Sequence, residues 1–172
     1  MAFLKAMFQT DAFAWGRCED FFVIEEAGKL IAGASGFSMD KQDFRPLRAA
    51  HFSAMATVLG WDESARAQFW QRYEGVWSDP QDSSLAPPAS WIIECVAVVP
   101  EKRGQGIAKT LLQALLAEGK RQGHTHAGIS VTIGNEPAQK VYESLGFQMY
   151  MTYGAEYFDG AFPGTIKYRM RL

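Results

Sequence analysis

The nine residues Trp91 to Val99, WIIECVAVV, constrain the fold of this chain more than any others. Its side chains are apolar apart from Glu94, and β-branched types dominate. A run of that kind reads as a strand covered on both faces. Pro100 ends it, having no N–H to give a ladder. In the segment EKRGQGIAKTLLQALL that follows, Ile107, Ala108, Leu111, Leu112, Leu115 and Leu116 recur at helical spacing, and Gly123 suits the helix end. Strand and helix are joined by a basic turn with Gly104 and Gly106. A buried strand feeding a helix implies a sheet carrying helices, an α/β or α+β fold.

The rest of the chain extends that pattern. Residues 1–15 place Phe3, Leu4, Met7 and Phe8 at helical spacing. FFVIEEAGKLIAGASGF, residues 21–37, reads as a β-hairpin turning at Glu26-Ala27-Gly28-Lys29. Over 40–77, Phe52, Met55, Ala56 and Leu59 mark one helix that Gly60 ends. Asp62 caps a second, with Phe69, Tyr73 and Val76 on one face. Residues 78–90 are a loop by composition. AGISVTI, residues 127–133, is a further strand. Asn135 caps a short helix with Pro137 in its first turn and Gly146 past its end, and FQMYMTYGAEYF and TIKYRMRL close the sheet. The order from residue 91 is β-α-β-α-β-β. The 172 residues fit one domain: helix and hairpin over 1–39, a helical insertion and loop over 40–90, and a core over 91–172.

Composition excludes several function classes. A net charge of −2 and a pI near 5.9 argue against a broad nucleic-acid footprint. Cys18 and Cys95 form no CxxC pattern and no Cys/His cluster, so neither a disulfide framework nor a metal site is expected. The apolar start is broken by Gln9, Thr10 and Asp11 and does not read as a signal peptide. No long apolar run spans a membrane, and the cytoplasm is the default location.

The glycine turn suits phosphate. A helix N-terminus carries unpaired N–H groups and partial positive charge, glycines let the backbone approach a ligand, and Lys102, Arg103 and Lys109 add charge. Three phosphate-binding patterns compete. A P-loop requires GxxxxGK before Ser or Thr; Lys109-Thr110 fits, but Ala108 and Arg103 stand where glycines belong. A dinucleotide fingerprint fits Gly104 and Gly106 but meets Lys109 at its third small position. The third pattern is Arg or Gln, two residues, Gly, one residue, then Gly or Ala. It is met by Arg103, Gly106 and Ala108.

With that pattern, ECVAVVPEKRGQGIAKTLLQALL resembles the strand, pyrophosphate loop and helix of the GNAT superfamily of acyl-CoA-dependent N-acyltransferases. NEPAQKVYESLGF is similar to that family's second segment, with Asn135, Ala138, Tyr142, Gly146 and Phe147 in place. The resemblance implies a mixed central sheet flanked by helices, with a helical insertion between the N-terminal hairpin and the CoA-binding strand. It implies acetyl-CoA (coenzyme A) as cofactor. The pyrophosphate would lie on Arg103, Gly104, Gln105, Gly106, Ile107, Ala108 and Lys109. The pantetheine arm would run along Val96, Ala97 and Val98, with the Val96 amide on the thioester oxygen, and Asn135 and Ala138 would lie nearby. Tyr142 looks like the acid that protonates the departing thiolate; by itself it reads more readily as a core tyrosine, and Asn135 as a helix cap.

Glu94 is the candidate base. Burial inside an apolar strand raises a carboxyl pKa, and an ammonium must lose a proton before its nitrogen can attack. The other strand on which the family places bases, Gly128 to Thr132, has no carboxylate. A structural glutamate is the plainer alternative. His124 and His126 are expected to be exposed; His51 could line a pocket. Trp61, Trp70, Tyr73 and Trp77 read as core more readily than as an amine cage, and Cys95 as a small core residue on the face opposite Glu94. The front end departs from the family, since little chain precedes the hairpin and residues 40–90 stand where a short turn is usual. The resulting expectation is an N-acetyltransferase acting on a small-molecule or peptide amine, without metal, nucleic acid or membrane. A homodimer is left open. A non-catalytic acyl-CoA-binding regulatory module is the alternative, and another phosphate-bearing cofactor a third reading. Antibiotics, polyamines, amino acids and protein N-termini all remain as acceptors.

Overall fold

A computed structural model describes residues 2–38, 45–76, 89–158 and 160–172. Most of the loop expected over 78–90, the start of the insertion at 40–44 and Trp77 lie outside the described residues. In chain order the elements are α1 (Ala2–Gln9), β1 (Phe21–Glu26), β2 (Lys29–Ser38), α2 (Phe52–Val58), α3 (Glu63–Val76), β3 (Trp91–Val98), α4 (Ile107–Arg121), β4 (His126–Thr132), α5 (Glu136–Ser144), β5 (Gln148–Gly154) and β6 (Gly164–Arg171). The order β-α-β-α-β-β from residue 91 is as expected. The chain forms two compact units, Met1–Glu19 with Met39–Pro87, and Asp20–Ser38 with Pro88–Leu172.

The first unit is helical. Ala6, Met7, Ala12, Phe13, Leu47 and Met55 are buried in it, with Phe52, Trp61, Phe69, Trp70 and Tyr73 packed around them. The Phe52 and Phe69 rings stack with centroids 5.5 Å apart, and the Tyr73 hydroxyl accepts the Leu47 N–H at 2.9 Å. These aromatic side chains are core, as the sequence suggested. Asp62 caps α3, its Oδ1 accepting the Ala65 N–H at 2.8 Å. His51 bonds the Thr10 carbonyl through Nδ1 at 2.7 Å.

The second unit is a six-stranded sheet in the order β1-β2-β3-β4-β6-β5. Ala27 and Gly28, at φ 49° and 76°, make the hairpin turn between β1 and β2. Every neighbouring pair is antiparallel except β3–β4, which is parallel. One face buries Ala34, Ile93, Ile129, Val131 and Tyr168 under Leu111, Leu112 and Leu115 of α4 and Tyr142 of α5. Strand alternation turns Glu94, Ser130 and Lys167 to the other face. Trp91 keys β3 into this core. It is 2% exposed, donates its indole N–H to the Leu115 carbonyl at 3.0 Å, and fills the space where Gly36 and Gly119 lack a Cβ. His124, expected to be exposed, instead bridges Ser38 Oγ at 2.9 Å and Ser90 Oγ at 2.8 Å and lies against the Trp91 ring.

Candidate active site

The site begins as a fault in β3. Ser35 pairs with Glu94 and Gly33 with Ala97, so three steps along β3 match two along β2. The extra residue falls at Cys95, whose φ of 58° is left-handed. A side chain in that conformation carries strain, and such bulges re-aim their neighbours. Ser35, fully buried, steadies the fault by donating to the Glu94 carbonyl at 3.3 Å. The expectation for Cys95 is corrected here. The bulge breaks alternation, and Cys95 is exposed rather than core.

Beyond that level the sheet opens. The β3–β4 ladder has three pairs and stops at Ile93 with Ile129. From Glu94 onward the β4-facing edge of β3 has no strand partner among the described residues, while its other edge stays paired to β2 as far as Val98. A cleft of about 220 Å³ fills the opening, lined by Glu94, Cys95, Val96, Ser130, Thr132, Asn135 and Tyr142 among others. Val96 lines the cleft, and Ala97 and Val98 continue β3 past it, the kind of edge that an added strand would need.

Glu94 and Tyr142 enter this cleft from opposite faces of the sheet. Burial pushes the Glu94 carboxyl from 4.5 up to about 7, against the opposing charge of Lys167. Tyr142, 5% exposed, packs its ring against Phe147 and Tyr168. Burial first, then the charges of Glu94 and Tyr168, hold its pKa far above the ordinary tyrosine range, so it keeps its proton. Its hydroxyl has no hydrogen-bond partner among the described residues. A buried hydroxyl left unpaired and facing a cleft is suited to an incoming polar atom.

The glycine turn lies past the end of β3. Gly104 and Gly106 take φ of 74° and 80°, and a Cβ at either would meet nothing within 4 Å among the described residues. Gly106 is the N-cap of α4 and supplies no capping side chain. None of the backbone N–H groups from Gly104 to Lys109 is given to an acceptor among the described residues. A row of unpaired donors at the positive end of a 15-residue helix fits a pyrophosphate. Arg103 is spent partly on the turn, its Nε donating to the Val98 carbonyl at 3.0 Å. Lys102 is paired with Glu26, so the charge it was expected to add is partly neutralised, whereas Lys109 is exposed. Ile107 and Ala108 are half-buried in the first turn of α4. Asn135 caps α5 by accepting the Ala138 N–H at 3.4 Å, which leaves its amide group at the cleft edge. Ser130 and Thr132, passed over in the sequence because β4 lacks a carboxylate, also line the cleft. Polar residues at alternate positions of an otherwise apolar strand were the available signal.

Known proteins share part of this sequence and this fold. The chain is 35% identical over 89 residues to N-alpha-acetyltransferase 30 of Schizosaccharomyces pombe, an overlap of 52% of this chain and 59% of that protein. The overlap thus spans about three-fifths of the curated relative's length. Two solved structures share the fold. Ard1 from Thermoplasma volcanium has 15% identity and a TM-score of 0.55 over 90% of this chain and 71% of that one. The polyamine N acetyltransferase of Drosophila melanogaster has 13% identity and a TM-score of 0.57 over 89% and 75%. The pattern of the acetyltransferase (GNAT) family matches residues 2–147, taking in the N-terminal helix, the helical insertion and the strands β1 to β4. The chain belongs to that family.

Proposed function

We propose that the protein is an N-acetyltransferase that moves the acetyl group of acetyl-CoA directly to a primary amine. The observation that carries this reading is the opened β3–β4 edge, with a raised carboxyl on one face and an unpartnered, protonated tyrosine on the other. Acetyl-CoA is a substrate here and supplies the thioester. The N–H groups of the Gly104–Lys109 turn hold its pyrophosphate, and the β3 edge at Val96–Val98 aligns its arm. The amine comes to the Glu94 face. As the C–N bond forms, Glu94 takes the proton that the nitrogen sheds, and the Val96 N–H bonds the oxygen on which charge develops. As the C–S bond breaks, Tyr142 gives its proton to the sulfur. A carboxyl near 7 is half-ionised at neutral pH, which suits a base. The cytoplasm remains the proposed location; among the described residues no helix is long and apolar enough to cross a membrane.

The test is release of CoA thiol over a panel of amines, with acetyl-CoA binding measured alongside. Turnover with at least one amine is expected. Glu94→Gln should lower kcat about a hundredfold. Tyr142→Phe should lower it about tenfold, the smaller loss because a thiol of pKa about 8.5 is already a fair leaving group. Tight acetyl-CoA binding with no turnover on any amine would favour the regulatory-module reading instead.

A further inference from the structure

Glu94, Ser130 and Lys167 stand at one level of the sheet, on the face away from α4 and α5. The parallel ladder pairs Ile93 with Ile129, so Glu94 and Ser130 are the next residues along and flank the first opened level. Ser130 pairs with Lys167 on β6. Both Glu94 and Ser130 line the cleft. Ser130 is half-buried, and neither its hydroxyl nor the Glu94 carboxylate has a hydrogen-bond partner among the described residues. Paired strands run about 4.8 Å apart and these have begun to part, so one polar atom bonded to both oxygens fits the gap better than a direct bond.

We propose that Ser130 binds the acceptor amine as a second acceptor beside Glu94 and so aims its lone pair. The inference rests on the reading of the site as an N-acetyltransferase. A neutral primary amine has two N–H bonds and one lone pair. With one N–H donated to Glu94 and the other to Ser130 Oγ, the lone pair is left for the thioester carbon. When the C–N bond forms, the proton facing Glu94 passes to its carboxylate, and the one on Ser130 stays as the amide N–H of the product. Lys167, next along the level, favours the neutral amine over the ammonium, because a nearby positive charge disfavours a second.

The test compares Ser130→Ala and Ser130→Thr with the wild type in the full chain. Ser130→Ala should lower kcat/KM for the amine roughly three- to tenfold, the worth of one hydrogen bond between neutral groups. The KM for acetyl-CoA and the melting temperature should stay unchanged, and Ser130→Thr, which keeps the hydroxyl, should retain most activity. Binding is measured separately with a conjugate of CoA joined through an acetyl spacer to a primary amine. Ser130→Ala should weaken the conjugate by a similar factor and leave CoA itself unaffected. An unchanged kcat/KM with an unchanged conjugate affinity overturns the proposal. So does an equal loss for conjugate and CoA. If the wild type transfers no acetyl group yet the conjugate alone is weakened, the functional reading falls and the Ser130 contact stands. If the wild type turns over and Ser130→Ala matches it in both measurements, the contact alone falls.

Discussion

At the scale of one residue, Glu94 sets function against stability. Its carboxyl moves from 4.5 to about 7 on folding, chiefly through burial. Between those values the folded chain holds a proton that the unfolded chain does not. The resulting stability is fully present below about 4.5 and is lost as pH rises through about 7. The loss is on the order of 3 kcal/mol, since each pKa unit is worth about 1.4 kcal/mol. Glu94→Gln should therefore match the wild type in denaturant melts near pH 4 and exceed it near pH 8 by up to about 3 kcal/mol. The same variant should lose the acidic limb, midpoint about 7, expected in the wild-type pH–rate profile. A variant no more stable at pH 8 than the wild type would mean that the carboxylate is not buried at a cost. The sequence made Glu94 visible, because a lone charge in WIIECVAVV invites the question of what holds it. It could not place Cys95. Alternation predicts the opposite face, and a bulge depends on pairing with β2, which is set by residues about sixty positions away in the chain (Ser35 against Glu94).

At the scale of elements, the connections within α4 and α5 were legible because they are local. The Asn135 cap, the Gly104–Gly106 turn and the apolar stripe of α4 each sit within a few residues of one another. The opening between β3 and β4 was not, since nothing in either strand announces where a ladder between them stops. The packing of Trp91 was hidden for the same reason and carries a prediction against the usual sign. Gly119 lies in the last turn of α4, where alanine ordinarily stabilises a helix by up to about 1 kcal/mol. Here an added Cβ would lie 2.6 Å from Trp91 Cδ1. The indole cannot retreat without losing its bond to the Leu115 carbonyl, and Gly36 is packed as closely, a Cβ there lying 2.6 Å from Cζ2. Gly119→Ala should therefore destabilise by about 1–3 kcal/mol, as overpacking does, read from equilibrium denaturation followed by tryptophan fluorescence. A neutral or stabilising result would show that Trp91 has room to move.

At the scale of the whole molecule, the charge is slightly acidic at −2, so nothing in the global field draws in an anionic substrate. Binding must come from the local donors of the turn, and it should appear as stability. A ligand held by the folded chain alone at a hundred times its Kd adds about 2.7 kcal/mol. Saturating acetyl-CoA should therefore raise the denaturation midpoint of the wild type. Gly106→Ala separates this gain from the fold itself. Among the described residues a Cβ there meets no atom within 4 Å, so the variant bears the left-handed strain at φ 80°, a loss of about 1–2 kcal/mol without ligand. That methyl group adds bulk at the N-cap itself, beside the N–H groups that a pyrophosphate must approach closely. The variant should then lose most of the stabilisation by acetyl-CoA, with its Kd raised tenfold or more. If Gly106→Ala bore the strain but kept the full acetyl-CoA shift, the nucleotide end of the substrate would have to be held somewhere other than this turn.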